Sequence, residues 1–102
     1  MWKVKDEIEL KELEKFGYIK MGGTAKEFYY WGWYVKYVRT LFNVYEIRVF
    51  IQSNKYKERE IIIFRDLTLD ESFRNAEIIK PKKKLIRDLM KAGLVEKVEK
   101  GR

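Results

Sequence analysis

Residues 28–37 read FYYWGWYVKY and hold seven of the chain's sixteen aromatic side chains. Each such ring buries about 150–250 Å2 when covered. A fold containing this stretch must therefore cover it on both sides or leave part of it for a partner. As a strand it divides by parity. Phe28, Tyr30 and Tyr34 fall on one face; Tyr29, Trp31, Trp33 and Tyr37 fall on the other. A 102-residue domain buries one such face readily, whereas burying both requires a covering layer on each side. Rings left at a surface suit a protein interface or stacking on single-stranded bases. The competing use of the same rings is to complete the core.

The flanking pattern is that of a mixed α and β chain. Val4 to Phe16 places Ile8, Leu10, Leu13 and Phe16 among acids, which predicts a helix stopped by Gly17. Tyr18 to Met21 is extended, and Gly22-Gly23 supplies the positive φ values of a tight hairpin turn. The return strand runs from Thr24 into the aromatic stretch to about Trp31. Trp33 to Phe42 stays open between strand and a helix that would end at Asn43. Thr24 to Glu27 forms a capping-box pattern that favours the helix; Gly32 and the ring content oppose it.

Tyr45, Ile47, Val49 and Ile51 alternate with Glu46, Arg48 and Phe50, which predicts a half-buried strand. Ser53 to Lys55 turns the chain, and Tyr56 to Arg65 returns as its partner. Ile61 to Phe64 is apolar at every position, so that part is expected to be covered on both faces. Thr68 to about Asn75 carries a second capping box and predicts a short helix. Pro81 suits a first helical position, Leu85, Ile86, Leu89 and Met90 form the apolar stripe, and Gly93 ends the helix. Leu94 to Val98 is a last short strand. The chain is therefore expected to be a small α+β single domain built around an antiparallel sheet. Its two roughly similar helix-plus-hairpin halves would span about residues 1–43 and 44–102.

Composition narrows the chemistry. There is no cysteine and no histidine, which removes thiol nucleophiles, Ser-His and Cys-His catalysis and nearly all zinc and iron sites. Asp66, Asp70 and Glu71 follow a strand, where magnesium-binding acids sit, but Asp70 and Glu71 are also what a helix N-terminus favours. Met21-Gly22-Gly23-Thr24 lacks the spacing and the lysine of a phosphate loop. A non-enzymatic protein with no cofactor and no metal is expected. No apolar run approaches the length of a membrane span, and Met1 to Lys20 has no signal-peptide core. A soluble protein inside the cell, or part of a particle, is expected.

The formal net charge of +7 is uneven. Residues 53–102 carry fourteen basic and nine acidic side chains, against nine and seven in residues 1–52. Lys80 to Lys91 holds six basic residues and one acid, Asp88. Lys82, Lys83 and Lys84 would occupy the first turn of the last helix, where the dipole disfavours cations by about 0.3–1 kcal/mol each. Fold stability does not ask for them there, whereas a phosphate partner would. Lys82, Lys83, Lys84, Arg87 and Lys91 are thus candidate nucleic-acid contacts. Tyr29, Trp31, Trp33, Tyr34 and Tyr37 are candidate contacts for a protein or peptide segment received in a groove between the two halves. Either a monomer or a homodimer would accommodate these sites, and no membrane is expected as a partner.

Two resemblances add to this reading. Leu13 to Lys20 and Leu89 to Lys97 share a helix end, a glycine and an extended apolar pair. Both resemble the end of a winged-helix domain, where a helix runs through glycine into the wing; this implies nucleic-acid binding as the alternative function. The whole chain is similar in length, in charge and tyrosine content and in the stretch around Trp31 and Trp33 to small orphan proteins of filamentous viruses of hyperthermophilic archaea, such as Acidianus; this implies host cytoplasm or a virion as the location and a viral or host protein as the partner. Charged residues make up 38% of it, with three asparagines and one glutamine, in keeping with a hot habitat.

Overall fold

A computed structural model describes residues 1–24, 30–41, 43–52, 56–66 and 77–98. The described chain is mixed α and β, rich in strands, with two antiparallel sheets. β2 (Ile19–Thr24), β3 (Tyr30–Arg39), β4 (Val44–Gln52), β5 (Ile61–Asp66) and β6 (Glu77–Ile79) follow one another across a five-stranded meander. β1 (Trp2–Val4) and β7 (Val95–Lys97) pair as a separate ribbon, with Val4 opposite Val95. The strand expected at residues 94–98 thus finds its partner at the other end of the described chain.

The aromatic stretch is a strand throughout its described part. β3 lies between β2 and β4, where its rings cannot turn helically without abandoning two ladders. No helix ends at Asn43. Instead Thr40 and Asn43 close a tight connection, with the Thr40 N–H donating to the Asn43 carbonyl at 2.8 Å. Gly22 and Gly23 do not form the hairpin turn. They lie within β2, opposite Gly32 and Trp31, and Gly22 has φ +86°. Gly32 stands where β4 carries one extra residue, since Gly32 pairs with Gln52 and Trp33 with Phe50.

The helices are shorter than the periodicity suggests. Trp2–Val4 is strand, and the first helical segment is a 3-10 helix over Leu10–Phe16. Gly17, with φ +90°, caps it and releases the chain into β2. Near the other end, Lys83–Leu85 forms a 3-10 turn, and α1 spans only Arg87–Lys91. Ile86, at φ −118° and ψ 21°, interrupts the single helix expected from Pro81 onward. Gly93, with φ +73°, ends α1, and the Leu94 N–H donates to the Leu89 carbonyl at 3.0 Å. The expected turn at 53–55 and helix at 68–75 lie outside the described residues.

One face of the sheet carries the core. Tyr34, Tyr45, Ile47, Val49, Ile61 and Ile63 pack against Val4, Leu13, Leu85, Ile86, Leu89 and Val95 from the ribbon and helical turns. Fully burying each aliphatic side chain stabilises the fold by roughly 1.5–3 kcal/mol. Arg59 holds the ribbon to this layer. Its N–H donates to the Phe50 carbonyl at 2.7 Å, and the Phe50 N–H donates to the Glu60 carbonyl at 3.0 Å. Two residues thus oppose one, and Arg59 takes the left-handed position, φ +68°, usual for glycine. Its guanidinium donates to the Lys5 and Ile8 carbonyls at 2.9 and 2.6 Å.

Candidate protein-binding face

The alternation that buries Tyr45, Ile47 and Val49 sends Glu46, Arg48 and Phe50 to the opposite sheet face. Register places further residues on that face. Trp33 lies opposite Phe50, Val35 opposite Arg48, and Tyr37 opposite Glu46. Across β5, Phe64 lies opposite Glu46 and Ile62 opposite Arg48. Ile19 and Met21 of β2 join through Val35 and Trp33, and Ile78 of β6 through Phe64. This second face is therefore largely apolar, with the Glu46–Arg48 pair on its central strand.

Its centre is an ordered stack. Tyr56 lies on Phe50 with ring centroids 4.7 Å apart and planes 28° from parallel. Phe50 meets Trp33 at 6.0 Å, tilted by 59°. The Arg48 guanidinium carbon sits 4.3 Å from the Trp33 ring centroid and 4.6 Å from that of Phe64. Arginine suits this place because its flat, weakly hydrated cation stacks on ring faces. Its Nε also donates to the Glu46 carboxylate, a buried acid that pairs with it across the face. Burial raises the Tyr37 hydroxyl above its ordinary pKa; the Glu46 charge adds to this and Arg48 opposes it.

The rim of the face is open. Ile19 is 64% exposed, Tyr37 56%, Ile78 51% and Met21 44%. Four of the five exposed large apolar side chains among the described residues thus share one sheet face, and the fifth, Leu41, is in the β3–β4 connection. Isolated exposed apolar residues are ordinary, whereas here four of them frame a single sheet face.

Of the candidate aromatic residues, Trp33 and Tyr37 come together here. Tyr34 does not: it belongs to the core, 6% exposed, and its hydroxyl donates to Glu14 at 3.5 Å. Parity puts it opposite its neighbours once β3 pairs on both sides. Trp31 lies in β3 opposite Gly23. Tyr29 lies outside the described residues. Trp33 and Tyr37 project from a sheet face, so they do not line a groove between halves. Glu46, Arg48, Phe50, Phe64, Ile19, Met21 and Ile78 were not among the candidates. Two signals pointed to them: Phe50 occupies an outward position of an alternating strand, and Ile61 to Phe64 is apolar in both phases.

Lys82, Lys83, Lys84, Arg87 and Lys91 are all exposed; Lys82 precedes the 3-10 turn that holds Lys83 and Lys84, and Arg87 and Lys91 lie in α1. Lys82 sits 5.8 Å from the Tyr45 ring centroid. Lys83, Lys84, Arg87 and Lys91 form no ion pair with a described residue. The three lysines precede α1 and do not stand in its first turn, so the expected dipole conflict does not arise. Asp88 of α1 instead pairs with Lys36 of β3 at 3.1 Å. Among the described residues no three acidic side chains gather as metal ligands, and no helix is long and apolar enough to cross a membrane.

No family model matches this chain, and no curated protein or solved structure matches it.

Proposed function

We propose that this is a non-enzymatic binding protein, and that the sheet face centred on Trp33 and Arg48 receives the surface of a protein partner. One observation carries this reading: the open rim of Ile19, Met21, Tyr37 and Ile78 surrounds a stacked centre that is buried at Phe50 and Glu46 and half-buried at Trp33 and Arg48. Such an arrangement matches the anatomy of an interface, in which aromatic and arginine anchors are ringed by contacts that exclude water. The centre is preorganised, so docking immobilises few side chains, which limits the entropic cost of association. The composition suggests a protein of a virus infecting a hyperthermophilic archaeon, with a viral or host protein as partner.

The test compares immobilised wild type with Ile19→Thr/Tyr37→Thr/Ile78→Thr and with Lys83→Glu/Lys84→Glu. A specific partner should be retained by the wild type and the lysine variant and lost from the face variant, with both variants folded. Retention by the face variant and loss from the lysine variant would overturn the proposal.

A second reading rests on the exposed cations Lys83, Lys84, Arg87 and Lys91, which have no ion-pair partner among described residues. These suit phosphate contacts on nucleic acid. That reading requires an affinity for DNA or RNA that falls steeply with salt, with a log–log slope of about −3 to −4 if all four engage phosphates.

A further inference from the structure

The β3–β4 connection carries an exposed leucine that neither the turn nor the core requires. The Thr40 N–H and hydroxyl both donate to the Asn43 carbonyl, at 2.8 and 3.2 Å, and the Asn43 N–H donates back to the Thr40 hydroxyl at 3.2 Å. Two residues, Leu41 and Phe42, stand between them in the sequence. Hairpin connections this short favour asparagine, aspartate and glycine. Leu41 is instead 87% exposed, the most exposed large apolar side chain among the described residues. The hairpin also stands clear on one side. β2 begins at Ile19, opposite Val35, so Lys36 to Arg39 have no described strand beside them on that edge.

Cations flank this tip on both sheet faces. Arg39 pairs in register with Val44, just behind the connection, on the face of Tyr37. Lys82 lies over the other face, 5.8 Å from the Tyr45 ring. Both are exposed, and neither forms an ion pair with a described residue. By register Asp66 lies two strands from Arg39, across Val44. The other cations recede from the tip. Lys82 is level with Tyr45, whereas Asp88 of α1 reaches Lys36, which lies opposite Ile47. Those two levels are about 7 Å apart at the rise of a strand.

We infer that the tip is a wedge for duplex DNA, with Leu41 entering a minor-groove base step and Arg39 and Lys82 on the phosphates to either side. Lys83, Lys84, Arg87 and Lys91 then follow one strand away from the wedge. This use of the tip rests on the nucleic-acid reading of those four cations. Proteins that bend duplexes insert leucine and similar apolar side chains between base pairs and use arginine and lysine beside them. A single strand is the poorer match, because stacking platforms are aromatic and leucine has no π-face. A bilayer would accept an apolar tip, but a flat anionic surface rewards cations level with that tip, whereas these recede from it.

The test is binding of the full chain to a duplex of about 20 base pairs with a central TA step, which kinks readily, carrying a donor and an acceptor dye at its ends. The wild type should bind with a log–log salt slope of about −5, for six phosphate contacts in place of four, and should shorten the end-to-end distance. Leu41→Asn should keep its melting temperature, bind about tenfold more weakly at an unchanged slope, and leave the duplex straight. Lys83→Gln/Lys84→Gln should flatten the slope by about 2 while the bend persists. A Leu41→Asn chain that binds and bends the duplex like the wild type would overturn the wedge and leave the nucleic-acid reading standing. So would a wild type that prefers the isolated strand to the duplex. A Leu41→Asn chain that unfolds would assign the leucine to the fold and overturn the wedge as well. Tighter binding to vesicles of phosphatidylserine and phosphatidylcholine than to the duplex, or binding to neither duplex nor single strand, would overturn the wedge and the nucleic-acid reading together.

Discussion

Replacing Arg59 separates two opposed energies at one residue. Its backbone, at φ +68°, costs a non-glycine residue about 1–2 kcal/mol. Its guanidinium donates to the Lys5 and Ile8 carbonyls from a side chain only 16% exposed. Hydrogen bonds from a charged donor contribute about 1.5–3 kcal/mol each, and the freed carbonyls regain some water when the arginine is lost. Arg59→Ala removes both bonds and keeps the backbone cost, so stability should fall by roughly 3–5 kcal/mol. Arg59→Gly removes the same bonds but relieves the backbone, for a net loss of about 1–4 kcal/mol. The ordering wild type, glycine, alanine is the signature. Urea unfolding reads it directly as midpoints at constant slope. A glycine variant as stable as wild type would refute the role of the guanidinium in holding the N-terminal segment. A glycine variant no better than alanine would refute the backbone cost.

Other substitutions follow from single contacts. The Tyr18 hydroxyl is buried and finds no hydrogen-bond partner among the described residues, so Tyr18→Phe should leave stability unchanged or raise it by about 1–2 kcal/mol in a calorimetric scan. Burial raises the tyrosine pKa of Tyr18, with the Asp88 charge adding to it, and burial likewise raises Tyr34. Unfolded tyrosines ionise first, so stability should hold below about pH 10 and decline as pH rises beyond it, less steeply in Tyr18→Phe. Glu46→Gln leaves Arg48 without its buried counter-charge and should cost about 3 kcal/mol by thermal unfolding. Gly93→Ala meets no atom within 4 Å, so its cost should be the backbone term alone, about 1 kcal/mol.

The strands were more legible than the helices. The 45–51 alternation set both the strand and its buried face, because burial on one side imposes a period of two. The glycine stops at Gly17 and Gly93 held because a left-handed exit has few alternatives to glycine. Helix length was misread at both ends: acids and apolar residues at mixed spacing also fit a 3-10 turn, and the Trp2–Val4 strand depends on a partner more than ninety residues away. Gly22-Gly23 looked like a turn because that pair permits one, yet ladder pairing with β3 carried the chain straight through. Ring content alone puts Tyr34 with the partner-site aromatics, whereas its strand phase places it in the core.

The central claim is that the outer rim of the aromatic face is surplus to folding and serves a partner. Ile19→Thr/Tyr37→Thr/Ile78→Thr tests it when melting temperature and partner binding are measured on the same sample. Each site is more than half exposed, so the combined loss should stay near about 1–2 kcal/mol, a fall in Tm of roughly 4–16 °C, while binding is lost. Unfolding of the triple variant, or partner binding that survives it, would contradict the account.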